Sequence, residues 1–114
     1  MDKEQKKALR EKFEARRPVM GITALSDGDD IWIAVSTDAA ADRNSTLFQL
    51  RLGSWPNREL QKAFNDHPDR FVWSVIQELK YEERDEDHRD ELELMYLMCL
   101  DEHPGAKQMR TGRH

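Results

Sequence analysis

Val19-Met20-Gly21-Ile22-Thr23-Ala24-Leu25, Ser26-Asp27-Gly28-Asp29-Asp30 and Ile31-Trp32-Ile33-Ala34-Val35-Ser36 follow one another without a break, and their reading decides the fold. The first and third pieces are rich in apolar and β-branched residues and read as strands. The middle piece is a polar turn with Asp-Gly at its centre, so the two strands fold back as a hairpin. In the second strand Ile31, Ile33 and Val35 alternate with Trp32, Ala34 and Ser36. One face is therefore plainly apolar, and the other sets a large ring beside small side chains.

Beyond the hairpin, Asp38 is placed to cap a helix over Ala39 to Leu52, with Leu47, Leu50 and Phe48 for its buried side and Gly53 to stop it. Asn57 caps a second helix from Arg58 to Asn65, in which Leu60 and Phe64 share a face. Phe71 to Leu79 reads as a third strand, with Phe71, Trp73 and Val75 on one side and Val72 and Ile76 on the other. A last helix from about Asp85 to about Glu102 begins acidic, as its N-terminal dipole prefers, and closes before Pro104-Gly105. Ahead of the hairpin, residues 2–17 hold no Gly or Pro and read as an amphipathic helix carrying Leu9 and Phe13, halted by Pro18. The predicted architecture is α+β. An N-terminal helix (1–18) precedes a domain over 19–104, a small three-stranded antiparallel sheet flanked by helices, and a flexible basic tail follows (105–114).

Composition narrows the function. The one cysteine, Cys99, excludes a disulfide framework and a zinc site built from several thiolates, and its place in the apolar part of the last helix predicts a packing residue. The longest apolar run, Leu94 to Leu100, is too short to span a bilayer. The charged N-terminus has no apolar stretch behind it, so a cytoplasmic protein with no membrane association is expected. The net charge of −5 is uneven: residues 78–103 carry eleven acids against three bases, whereas residues 1–17 carry seven bases against four acids. Such a chain repels phosphates at long range and can hold them only through a local patch. Glu82-Glu83-Arg84-Asp85-Glu86-Asp87-His88 lacks the glycine and terminal glutamate of a calcium loop and reads as a solvated loop and helix start. His67, His88 and His103 form no i, i+4 pair for zinc. No phosphate-binding Gly-rich loop, Gly-x-Ser-x-Gly elbow or dinucleotide fingerprint is present.

Taken in order, several residues resemble the GIY-YIG nuclease family. Gly21-Ile22-Thr23 matches its first motif in two positions of three, and Ile31-Trp32-Ile33-Ala34-Val35-Ser36 looks like the second motif with its surroundings. Arg43 falls where the family carries an arginine on the following helix. The stretch from Gly53-Ser54-Trp55-Pro56-Asn57 through Asn65, with Phe71 opening a strand, is the most family-like part. Glu93, three residues before Tyr96-Leu97, matches the family's metal-binding glutamate. The resemblance covers roughly residues 19–100.

The resemblance implies a DNA endonuclease that hydrolyses phosphodiester bonds with Mg2+ as cofactor. Arg43 would hold the phosphate, Glu93 the metal, and Thr23 and Trp32 would line the cleft. Lys62 and Arg58 would join Arg43 on the nucleic-acid backbone. Both signature tyrosines are replaced, by Thr23 and Trp32, and the motif glycine by Ala34. Threonine is no phenol, and an indole has no acceptor for a proton. Losing a positioned general base lowers a rate by about 10²- to 10⁴-fold. The alternative reading is a pseudo-nuclease that binds nucleic acid or a protein partner. A third is a purely structural or protein-interaction role in which the cleft is idle.

Overall fold

The computed structural model describes residues 18–81 and 87–110. The helix expected over 2–17 and the expected helix start at Asp85 lie outside the described residues. Strands β1 (Met20–Ser26) and β2 (Ile31–Ser36) form the antiparallel hairpin, with Thr23 opposite Ala34 and Leu25 opposite Trp32. Asp27 organises the turn. Its Oδ1 accepts from the N–H groups of Asp29 at 3.0 Å and Asp30 at 2.8 Å, and its Oδ2 lies 2.7 Å from His67 Nε2. Burial alone would raise the pKa of this carboxyl, but the Asp30 N–H, the His67 ring and the Asp29 N–H outweigh it and hold the value at about 2.

Helix α1 (Ala39–Leu52) starts where Asp38 accepts from the Ala41 N–H and ends at Gly53, whose φ of 78° is left-handed. Helix α2 (Arg58–Asp66) starts where Asn57 accepts from the N–H groups of Glu59 and Leu60. A short 3-10 turn (Pro68–Arg70) leads into β3 (Val72–Leu79), which pairs antiparallel with the free side of β1. Gly21 is required by that approach: a Cβ built there would lie 2.0 Å from the Gln77 carbonyl oxygen. Helix α3 (Arg89–Glu102) follows.

The sheet has four strands and is mixed, in the order β3-β1-β2-β4, which corrects the three-stranded antiparallel expectation. Strand β4 (Lys107–Gln108) runs parallel to β2. It is two polar residues long, too little for any periodicity to announce. Distant partners recruit it. The Met109 N–H donates to the Ile33 carbonyl at 2.9 Å, and the Met109 carbonyl accepts from Trp55 Nε1 at 2.9 Å. Asn57 Nδ2 donates to the Gln108 carbonyl at 2.8 Å, and Met109 itself is fully buried. Residues 107–109 of the stretch expected as a flexible tail are therefore part of the domain.

Helices cover both faces of the sheet. On one, Leu25 and Trp32 meet Leu50, Leu60 and Phe64 from α1 and α2. On the other, Ile22, Ala24 and Ile33 meet Cys99 of α3. Cys99 is buried, as its position predicts, and that burial, with the charge of Glu102, pushes its thiol pKa up. Among the described residues no helix is long and apolar enough to cross a membrane.

Candidate nucleic-acid interface

The strand residues expected at the signature-tyrosine positions, Thr23 and Trp32, are core residues. Thr23 is 1% exposed, and its hydroxyl donates to the Ala34 carbonyl across the hairpin at 3.2 Å. Trp32 is also 1% exposed and packs against Phe71 at 5.8 Å between ring centroids. Lys107 Nζ lies 5.6 Å from the Trp32 ring centroid and is itself bonded to Glu59. The Trp32 indole N–H is buried without a hydrogen-bond partner. Neither side chain borders a cleft.

Arg43 and Glu93 line separate cavities. Glu93 is exposed on the first turns of α3, in a cavity of about 700 Å³ shared with Arg89, Arg110 and the apolar residues Tyr96 and Leu97. Arg89 forms its ion pair with Asp87 at 2.9 Å rather than with Glu93. Arg43 is exposed on α1, in a cavity of about 540 Å³ shared with Arg51, Phe71 and Trp73. The expected set of Thr23, Trp32, Arg43 and Glu93 is therefore not gathered in one cleft. The physical reason is layering: α1 and α3 lie against opposite faces of the sheet, and the residues between them are packed.

Glu93 is the one carboxylate that lines its cavity. One exposed carboxylate shares its cavity with two guanidinium groups, and among the described residues no group of three His, Cys, Asp or Glu is placed to hold an ion. Magnesium keeps several waters and needs only one or two protein carboxylates, of which this cavity supplies one.

The basic residues assemble better. Arg58 and Lys62, both exposed on α2, line a cavity of about 450 Å³ that also includes Asn65. Asn65 lines the Arg43 cavity as well, so the two concavities adjoin. Ion pairing separates these side chains from the rest. Arg70 is 3.2 Å from Asp29, Lys80 3.2 Å from Glu78, Arg89 2.9 Å from Asp87, Lys107 3.5 Å from Asp30, and Arg110 3.4 Å from Asp42. Among the described residues the remaining cations are Arg43, Arg51, Arg58 and Lys62, and none has an acid partner. All four lie on the adjoining concavities. Arg51 is the member that sequence reasoning missed. Its signal was its spacing, four residues after Leu47 and eight after Arg43 on one helix.

No protein-family model and no curated protein matches the chain. Two solved structures do. The catalytic domain of the homing endonuclease I-TevI is 20% identical with a TM-score of 0.62, over 73% of this chain and 86% of that one. A glutamate-to-alanine variant of the catalytic domain of intron endonuclease I-TevI is 18% identical with a TM-score of 0.62, over 83% of this chain and 97% of that one. I-TevI is a GIY-YIG nuclease. The chain therefore has a GIY-YIG nuclease-like fold, and at this identity the likeness concerns the fold.

Proposed function

We propose that this protein is a nucleic-acid-binding module of the GIY-YIG fold that has given up phosphodiester hydrolysis. The observation that carries the reading is the set of four cations without acid partners, Arg43, Arg51, Arg58 and Lys62, on two adjoining concavities, where every other described Lys and Arg has an acid partner. Unpaired guanidinium and ammonium groups in a concave patch suit phosphate oxygens. The burial of Thr23 and Trp32 supports the loss of hydrolysis, since neither side chain is placed to deprotonate a water outside the core.

The test is a pair of assays on the natural protein and Glu93→Ala. Fluorescence anisotropy with labelled DNA is expected to give salt-sensitive binding that is equal for both proteins. Supercoiled plasmid with magnesium or manganese is expected to stay intact with both. Cleavage by the natural protein that vanishes in Glu93→Ala would restore the reading as a magnesium-dependent DNA endonuclease. The exposed Leu94, Leu97 and Met98 on α3 support a second reading, a protein partner. Failure of DNA binding at low salt would move the function to that surface.

A further inference from the structure

The Arg43 cavity is more than a charged surface. Its floor includes Phe64, Phe71 and Trp73, and its rim carries Arg43 and Arg51 against the single acid Asp69. Phe71 is already engaged on several sides. Its centroid is 5.8 Å from Trp32, 5.5 Å from Phe64 and 5.7 Å from His67. Trp73 differs. It is half-buried on β3, and among the described residues no aromatic ring or cation lies against it and no group accepts from its indole N–H. A concavity of about 540 Å³ falls in the size range of sites for small planar ligands.

We propose, resting on the nucleic-acid reading above, that this cavity takes an unpaired base and that the module prefers single-stranded nucleic acid. A phosphate held by Arg43 or Arg51 places the attached base over the apolar floor, where the half-buried indole of Trp73, which also packs against the core, is the stacking surface. In a duplex both faces of every base are covered by its neighbours, so only the phosphates are offered. An unpaired base exposes its π-face, and every base has one, so the preference is for strandedness rather than sequence. Removing a stacking ring typically weakens binding by about 5- to 150-fold.

The experiment measures anisotropy of a labelled oligothymidylate, its RNA counterpart and a duplex of the same length against the full chain, Trp73→Leu and Trp73→Phe. The single strands are expected to bind at least about fivefold more tightly than the duplex. Trp73→Leu is expected to remove that advantage while leaving duplex affinity and its salt dependence in place. Trp73→Phe keeps a flat ring and is expected to retain most of the advantage. In the natural protein, single strands are expected to quench indole emission and the duplex is not. This reading needs no variant, so it stands even where Trp73→Leu fails to fold. Equal affinity for single strands and duplex, or single-strand binding without quenching, would overturn the base site and leave the basic face standing. Absence of binding by all three ligands would overturn both.

Discussion

Four unpaired cations make a quantitative statement about salt. Each phosphate neutralised on duplex DNA contributes about 0.9 to the slope of log K against log salt, so contacts from Arg43, Arg51, Arg58 and Lys62 give a slope of about −3.6. Between about 50 and about 200 mM salt, affinity then falls by about 150-fold. The double variant Arg58→Ala/Lys62→Ala removes one of the two concavities' cations and is expected to bring the slope to about −1.8, a loss of only about 12-fold over the same range. Lys80→Ala and Arg89→Ala are the controls. Both residues are exposed and already paired, with Glu78 and Asp87, so neither is expected to alter the slope. Anisotropy titrations at four or five salt concentrations per protein read all of this directly. A slope unchanged in the double variant, or one lowered equally by the controls, would refute the claim that unpaired cations on α1 and α2 form the binding face.

The remaining predictions concern what holds that face in place. Met109→Ala empties a fully buried site under β4 and is expected to destabilise the protein by about 2–5 kcal/mol, read as a lower urea midpoint at unchanged slope. Gly21→Ala drives a Cβ into the β3 backbone and is expected to destabilise by about 3 kcal/mol or more, with loss of the cooperative thermal transition as the severe outcome. The Asp27 carboxyl has its pKa lowered from 3.8 to about 2 on folding, so its stabilisation is present above pH 4 and is lost as pH falls through the interval down to about 2. Asp27→Asn keeps the side-chain shape and is expected to flatten the dependence of melting temperature on pH in that interval; an unaltered profile would refute the assignment. Cys99, buried and with its thiol pKa raised, is expected to react with a thiol reagent only on the timescale of unfolding.

Much of this arrangement was legible in the residues themselves, because it was local. The hairpin follows from alternating apolar positions around Asp27-Gly28, and both central helices announce their caps, Asp38 and Asn57. The position of Gly21 was legible through the motif, although its reason, the passage of Gln77 within 2.0 Å of a Cβ, was not. What stayed hidden was long-range. Strand β4 exists because Trp55, Asn57 and Ile33 supply partners from up to about 75 residues earlier in the chain. The site suffered most from this. Arg43, Arg58 and Lys62 could be chosen by type and position, but which cations lack an acid partner depends on pairings such as Arg70 with Asp29, set by the tertiary fold. Trp32 illustrates the converse: an aromatic on the less apolar face of a strand reads as a cleft residue until α1 and α2 cover it.

The net charge of −5 is reconciled with a polyanion ligand by the same pairings. At physiological ionic strength the field of a distant charge is largely screened beyond about 8 Å, so a phosphate at the protein surface meets its neighbours rather than the total. Elsewhere on the described surface a cation gives a phosphate little, since Arg70, Lys80, Arg89, Lys107 and Arg110 each have a carboxylate within 4.0 Å. The cations of the α1–α2 face have none. The acidic excess still acts at low salt, where it slows the approach of a polyanion, while the local cations govern how long it stays. Neutralising acids far from the face, such as Asp101 and Glu102 at the end of α3, is therefore expected to raise the association rate at low salt and to leave the dissociation rate unchanged. Stopped-flow measurements with the Asp101→Asn/Glu102→Gln variant check this, and a changed dissociation rate would mean that the ligand reaches α3.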